Sequence, residues 1–186
     1  PGDVIVADHQ TAGRGQYGEQ RGPSPAAPRS VPMSDRTAKI VEVARKYVAS
    51  AAWNYDVARG DFGRNTNKCT LFVYGVVVEA EARPYPRIGK GLPWVFSSRP
   101  LLAREWADPK VYVVGWPVVA APRPGDVAAI ATQYADATGH VGIVVGDGST
   151  VSATAAGVVQ NDWGFRAGQA PTFRRHTPTD PWDEIG

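Results

Sequence analysis

Apolar residues follow two periods along this chain, first that of a helix and then that of strands. Ile40, Val41, Ala44, Tyr47, Val48 and Ala52 recur at spacings of one, three and four, with Lys39, Glu42, Arg45 and Lys46 between them. This pattern predicts an amphipathic helix with Ser34 as its N-cap, ended by Trp53-Asn54-Tyr55-Asp56. A loop rich in Gly and Asn (Gly60, Gly63, Asn65, Asn67) leads into a second segment, from about Cys69 to Ala82. There Leu71, Phe72, Val73, Val76, Val77 and Val78 make a helix apolar nearly all round, expected at the centre of the core and stopped by Arg83-Pro84. Residues 84–110 read as a long connection holding one short helix, Leu101 to Trp106.

Period-two segments follow at Val111–Val114, Val127–Ala131, His140–Val145 and Thr150–Ala153, with Phe173 to Arg175 as a last edge strand. Pro122-Arg123-Pro124-Gly125-Asp126 supplies the turn before the second of these, and Asp147-Gly148 the hairpin turn before the fourth. Helices first and then an antiparallel sheet is an α+β arrangement.

Composition adds boundaries and exclusions. Residues 1–33 concentrate Pro and Gly and read as an arm or linker, with Val4-Ile5-Val6 as one short strand; residues 34–176 form the domain and 177–186 a polar tail. The chain starts with Pro1 and carries its sole methionine at Met33, so it is either a fragment or processed. A formal charge of +2, with no basic run interleaved with aromatics, gives no footprint for nucleic acid. No apolar run approaches membrane-spanning length and no signal peptide opens the chain, so export would need another carrier. One cysteine and three scattered histidines (His9, His140, His176) suggest neither a metal nor another cofactor.

The chemistry rests on Cys69. A lone cysteine is usually a small buried hydrophobe, but Asn65-Thr66-Asn67-Lys68 precede this one. A thiol at a helix start meets unpaired backbone N–H groups and the positive end of the helix dipole, which favour a thiolate and can also hold an oxyanion. Lys68 would add positive potential. His140, at the head of a strongly apolar strand and flanked by Gly139 and Gly142, is the candidate general base; His9 lies in the arm and His176 in a tail expected to be solvated. The Asp147-Gly148 hairpin carries Ser152 back beside His140, as the group to orient the imidazole; Thr154, Asn161 and Asp162 are substitutes. Arg64, Lys68 and Arg166 are candidates to meet substrate carboxylates, with Asn67 at the cysteine's side and Trp53, Trp94 and Trp163 as groove walls.

The combination of Asn67-Lys68-Cys69 opening a helix, Pro124-Gly125-Asp126-Val127 before a strand, and Gly139-His140-Val141-Gly142-Ile143 followed by Gly146-Asp147-Gly148 resembles the NlpC/P60 peptidoglycan amidases. Asn67 to Val73 and Asn161-Asp162-Trp163-Gly164-Phe165-Arg166 are most similar to the amidase effectors of type VI secretion systems. The resemblance spans roughly residues 34–170. It implies a papain-like fold, with Cys69 as nucleophile at a helix start packed on a C-terminal antiparallel sheet, and His140 as base. Many members carry His, Asn or Gln where Ser152 falls. The implied reaction is hydrolysis of amide bonds in peptidoglycan stems or cross-links, without a cofactor, in the periplasm of target bacteria after injection. The implied partners are a cognate immunity protein and a secretion-system carrier, with no nucleic acid and no membrane insertion. The alternatives are a catalytically silent papain-like module that binds wall fragments or a partner, a housekeeping wall hydrolase, and a cysteine acyltransferase on the same fold.

Overall fold

The computed structural model describes residues 35–60, 62–89 and 98–178. The Val4–Val6 strand, the arm, Ser34, Trp94 and the tail beyond residue 178 lie outside them. Helix α1 (Asp35–Lys46) buries Ile40, Val41, Val43 and Ala44 on one face. Helix α2 (Cys69–Glu79) carries its apolar residues on all sides and buries six of its eleven, as expected of a central helix. A two-stranded ladder, β1 (Arg87–Gly89) with β2 (Ser98–Pro100), precedes the short helix α3 (Ala103–Ala107).

The main sheet holds β3 (Val118–Val119), β4 (Val127–Ala131), β5 (Gly139–Gly146), β6 (Ser149–Thr154), β7 (Gly157–Asn161) and β8 (Thr172–Arg174). Their order is β3-β8-β4-β5-β6-β7, with every neighbouring pair antiparallel. Alternation along the two central strands divides the sheet's faces. Val141, Ile143 and Val145 of β5, with Val151 and Ala153 of β6, join the core beside Phe72, Val73, Val76 and Val77 of α2. His140 and Gly142, with Ser152 of β6, point to the other face. The result is the α+β, papain-like arrangement read from the motif order, a cysteine-headed helix packed on an antiparallel sheet.

Several expected elements are corrected. Helix α1 ends at Lys46 rather than Ala52, because Ala49 adopts a left-handed φ of 66° and donates its N–H to Val158 O at 2.9 Å. The chain there leaves the helix to cover the edge of β7, and a 3-10 turn at Ala51–Trp53 follows. Val48 and Ala52, expected on the apolar face, are exposed. Val111–Val114 forms no strand: Val111 O accepts from Arg174, Val113 O closes a turn with Trp116 N, and Tyr112 is 85% exposed. Residues 172–174 lie inside the sheet rather than at its edge, between β3 and β4. His176 is buried rather than solvated, stacked on Trp116 with ring centroids 5.1 Å apart and with Nε2 2.6 Å from Arg83 O.

Arg174 explains how the segment after α3 is held without regular structure. It is 2% exposed, and its guanidinium donates to the carbonyls of Trp106, Trp116, Asp108 and Val111 at 2.6–3.2 Å. A planar five-donor fork suits this task where a point charge does not. Arg175, next along, binds the buried Asp126 carboxylate through two bonds of 2.9 and 2.8 Å. The Pro124-Gly125-Asp126 turn is thereby fixed to β8. Replacement Arg174→Met should cost about 3 kcal/mol or more in urea unfolding, since buried carbonyls would lose a shared charged donor. Arg174→Lys should cost less; equal stability of all three proteins would show that these bonds contribute nothing net.

Candidate active site

The site forms where the first turn of α2 meets the first residues of β5. Lys68, the residue before the helix, makes no side-chain cap, so the first backbone N–H groups of α2 remain available to other acceptors. The N–H groups of Cys69 and Thr70 point at the Cys69 sulfur, and so does that of Val141. Val141 follows His140 directly in β5, so this contact sets the thiol beside the histidine's backbone.

Two glycines let the neighbouring strands close in around His140. Gly139 has φ +139°, and a Cβ there would strike the Ile130 carbonyl oxygen in the paired strand β4. Gly142 sits opposite Ser152, and a Cβ on it would come within 3.0 Å of Ser152 Cβ. The space it leaves is crossed by the imidazole, whose Nε2 lies 2.9 Å from Ser152 Oγ. Trp163 packs edge to face against the same ring, with centroids 4.5 Å apart and planes at 84°. With Nε2 protonated and donating to Ser152, the lone pair of Nδ1 is left for the thiol proton.

Two clefts meet at this point. One, of about 350 Å³, is lined by Asn67, Cys69, His140, Thr154 and Trp163 among others. The second, of about 240 Å³, is lined by Phe62, Thr66, Asn67, Cys69 and Leu102. Asp136, Ala137 and Gly139 belong to both. Cys69 lines both clefts and is only 5% exposed, which puts it at the floor where they meet.

Desolvation sets the protonation states. Burial pushes the Cys69 thiol up to about 11, although three backbone N–H groups act in the opposite direction. Burial also lowers the His140 imidazole to about 4. Near neutral pH the pair is therefore a thiol and a neutral imidazole. No group of three or more His, Cys, Asp or Glu side chains among the described residues could hold a metal ion.

The expected catalytic trio is thus brought together, and the substitutes for Ser152 have other posts. Asn161 Oδ1 accepts from Trp163 N at 3.0 Å, which helps seat that indole over the histidine. Asp162 pairs with Arg166 at 2.6 Å, and Thr154 donates to Gly157 O at 2.9 Å while lining the groove. Asn67 and Trp163 line the groove as expected.

Two expected groove residues are placed elsewhere. Lys68 is 2% exposed and donates to the carbonyls of Tyr55 and Thr66 at 3.1 and 3.0 Å. Burial lowers its pKa, and its work is to tie the 55–66 loop to the helix start rather than to meet substrate. Trp53 is buried beneath the groove, edge to face with Phe72 at 5.3 Å and against Gly75, where a Cβ would come within 2.8 Å of the indole. Its apolar body is worth more in the core than at a wall. Arg64 is exposed and lines neither cleft. Sequence reasoning missed Tyr134 and Asp136, although they lie four to six residues ahead of His140 in the loop that delivers it.

The buried imidazole ties stability to pH. A folded-state pKa lowered from 6.5 to about 4 means that the unfolded chain binds the proton first as pH falls. Stability is then lost from pH 6.5 downward through 4, by up to about 3 kcal/mol for this group. Urea unfolding of the wild type and of His140→Gln should diverge across that window in favour of the glutamine variant. A constant difference would contradict the desolvated histidine.

Residues 59–157, more than half of the chain, match the family model described as the CHAP domain. Among solved structures, NlpC1 from Trichomonas vaginalis is similar at 14% identity and a TM-score of 0.45, over 79% of this chain and 46% of that one. This chain therefore spans less than half the length of that protein. No protein of curated function matches the sequence. By its matching residues, which include Cys69 and His140, the chain belongs to the CHAP domain family of cysteine- and histidine-dependent amidohydrolases and peptidases.

Proposed function

We propose that this protein is a cysteine amidase that hydrolyses amide bonds in the peptide stems or cross-links of peptidoglycan. The observation that carries the reading is the convergence of Val141 N–H on the sulfur with the 2.9 Å His140–Ser152 contact, on the floor of an open groove. His140 Nδ1 takes the thiol proton as sulfur adds to the substrate carbonyl carbon. The backbone N–H groups of Cys69 and Thr70 are placed to receive the resulting oxyanion. Collapse breaks the C–N bond, and the imidazolium protonates the departing amine. Water, deprotonated by the same imidazole, then cleaves the thioester and the sulfur leaves as thiol. Ser152 positions the ring without touching substrate.

The finer reading is that of an antibacterial effector, delivered by a type VI secretion system into the periplasm of target bacteria. A cognate immunity protein would cover the groove, and a secretion-system component would carry the toxin. Its support is the likeness of Asn67–Val73 and Asn161–Arg166 to such effectors. Trp163 packs on the histidine and Asn161 holds Trp163, so the second motif borders the site.

Purified peptidoglycan incubated with the wild type should release muropeptides and new free amines, and Cys69→Ala should release none. Ser152→Ala should lose about fivefold in kcat, the worth of one neutral hydrogen bond of about 1 kcal/mol. Equal product from wild type and Cys69→Ala would leave a binding module rather than an enzyme. Expression directed to the periplasm of a susceptible bacterium should lyse it, whereas expression retained in the cytoplasm should not; harmless periplasmic enzyme would reject the effector role.

A thiol held at about 11 ionises progressively, so iodoacetamide should modify Cys69 about ten times faster per pH unit between pH 7 and 9. A rate already flat from pH 5 would reveal a preformed thiolate–imidazolium pair instead.

A further inference from the structure

The groove's charge is set by one residue. Among the described residues lining the two clefts that meet at Cys69, Asp136 is the only one with a formal charge near neutral pH. It borders both clefts, and Tyr55 OH donates to its Oδ2 at 2.9 Å across 81 residues of chain. That bond fixes the carboxylate at the junction of the clefts, beside Asn67 and Gly139 and close to the point where sulfur would attack. Lys68 is engaged with loop carbonyls and Arg166 with Asp162, while Arg104 borders Asp136 only on the neighbouring cleft and lines neither of the two at Cys69.

A carboxylate with no compensating cation in the groove attracts ammonium groups and repels substrate carboxylates. We infer that Asp136 is a specificity residue, selecting stem peptides with a free primary ammonium group beside the scissile amide. This inference rests on the amidase reading and gives it a substrate class. In peptidoglycan the ammonium has two sources. One is the side chain of a diamino acid such as diaminopimelate or lysine. The other is the α-amine of an L-Ala from which the sugar's lactyl group has been removed. Both present the same –NH₃⁺ to the same carboxylate, and the selectivity enters at binding, before any bond changes.

The test uses soluble muropeptides, whose L-Ala amine is capped, and the same peptides freed of sugar, each before and after acetylation of all amines. The wild type should cleave the free-amine form of one set about tenfold faster than its acetylated form, mainly through KM. Asp136→Asn should abolish that preference, and raising the salt concentration should weaken it in the wild type. Tyr55→Phe, which keeps the carboxylate and removes only its hydrogen bond, should retain the preference in part. A preference among the sugar-bearing muropeptides assigns the side-chain amine; a preference confined to the sugar-free peptides assigns the α-amine. Equal rates on free and acetylated forms, or a preference that persists in Asp136→Asn, would overturn this inference while leaving the amidase intact. Failure to cleave any of these substrates or whole peptidoglycan would overturn the amidase reading, and the inference with it.

Discussion

The docking of the α2 N-terminus against the first residues of β5 governs everything else in this molecule. Helix start and strand start each leave backbone groups that their own element does not use, and here they are turned toward one sulfur: N–H groups of Cys69 and Thr70 from the helix and of Val141 from the strand. Gly139 and Gly142 flank His140 because β4 and β6 approach those two positions too closely for a Cβ. The docking also needs a helix held firmly, and the core buries six of the eleven residues of α2. The reactive pair therefore inherits its geometry from the packing of main chains. Side-chain contacts from Ser152 and Trp163 only adjust the ring.

Burial that gives precision also determines the electrostatics. A helix start alone would favour a thiolate, and the sequence argues for one. In the folded protein the sulfur lies at the floor of the groove, where desolvation outweighs three N–H donors and holds the thiol protonated. The imidazole is kept neutral by the same cause. In the proposed reaction, proton transfer and carbon–sulfur bond formation are then coupled, because neither charged partner is stable before the substrate arrives. The N–H groups that fail to ionise the resting thiol remain oriented for an oxyanion, whose charge appears only in the transition state.

Much of this was legible in the chain. Cys69 at a polar-to-apolar junction, His140 between glycines, and an Asp-Gly hairpin returning Ser152 to its side are local patterns, and local patterns survive folding. The strands at 127–131 and 139–146 followed from alternation in the same way. The misreadings share one cause, the recruitment of a residue by a partner that its own local pattern does not reveal. Val111–Val114 alternates like a strand, but its Val111 carbonyl serves Arg174, more than sixty residues on, and its Val113 carbonyl closes a turn. Lys68 looks like a free cation until Tyr55 and Thr66 supply carbonyls from a loop with no periodicity to announce it. Trp53 needed the bare surface of Gly75 to become a core residue, and nothing in the spacing of those two positions signals the fit.

The division of labour among charges has a consequence for how such a site is built. Lys68, Arg174 and Arg175 are held by the protein itself, two by backbone carbonyls and one by the buried Asp126. They hold loops in place and line neither cleft at Cys69. Asp136, the one formal charge among the described residues that line those clefts, instead sits on an exposed loop between β4 and β5, where a tyrosine hydroxyl bonds it. Catalytic geometry and substrate charge preference are thus carried by different parts of the chain, the first by packed backbone and the second by a loop the core does not constrain. A change in that loop can retune what enters the groove without moving sulfur, imidazole or N–H donors, because none of their contacts passes through it.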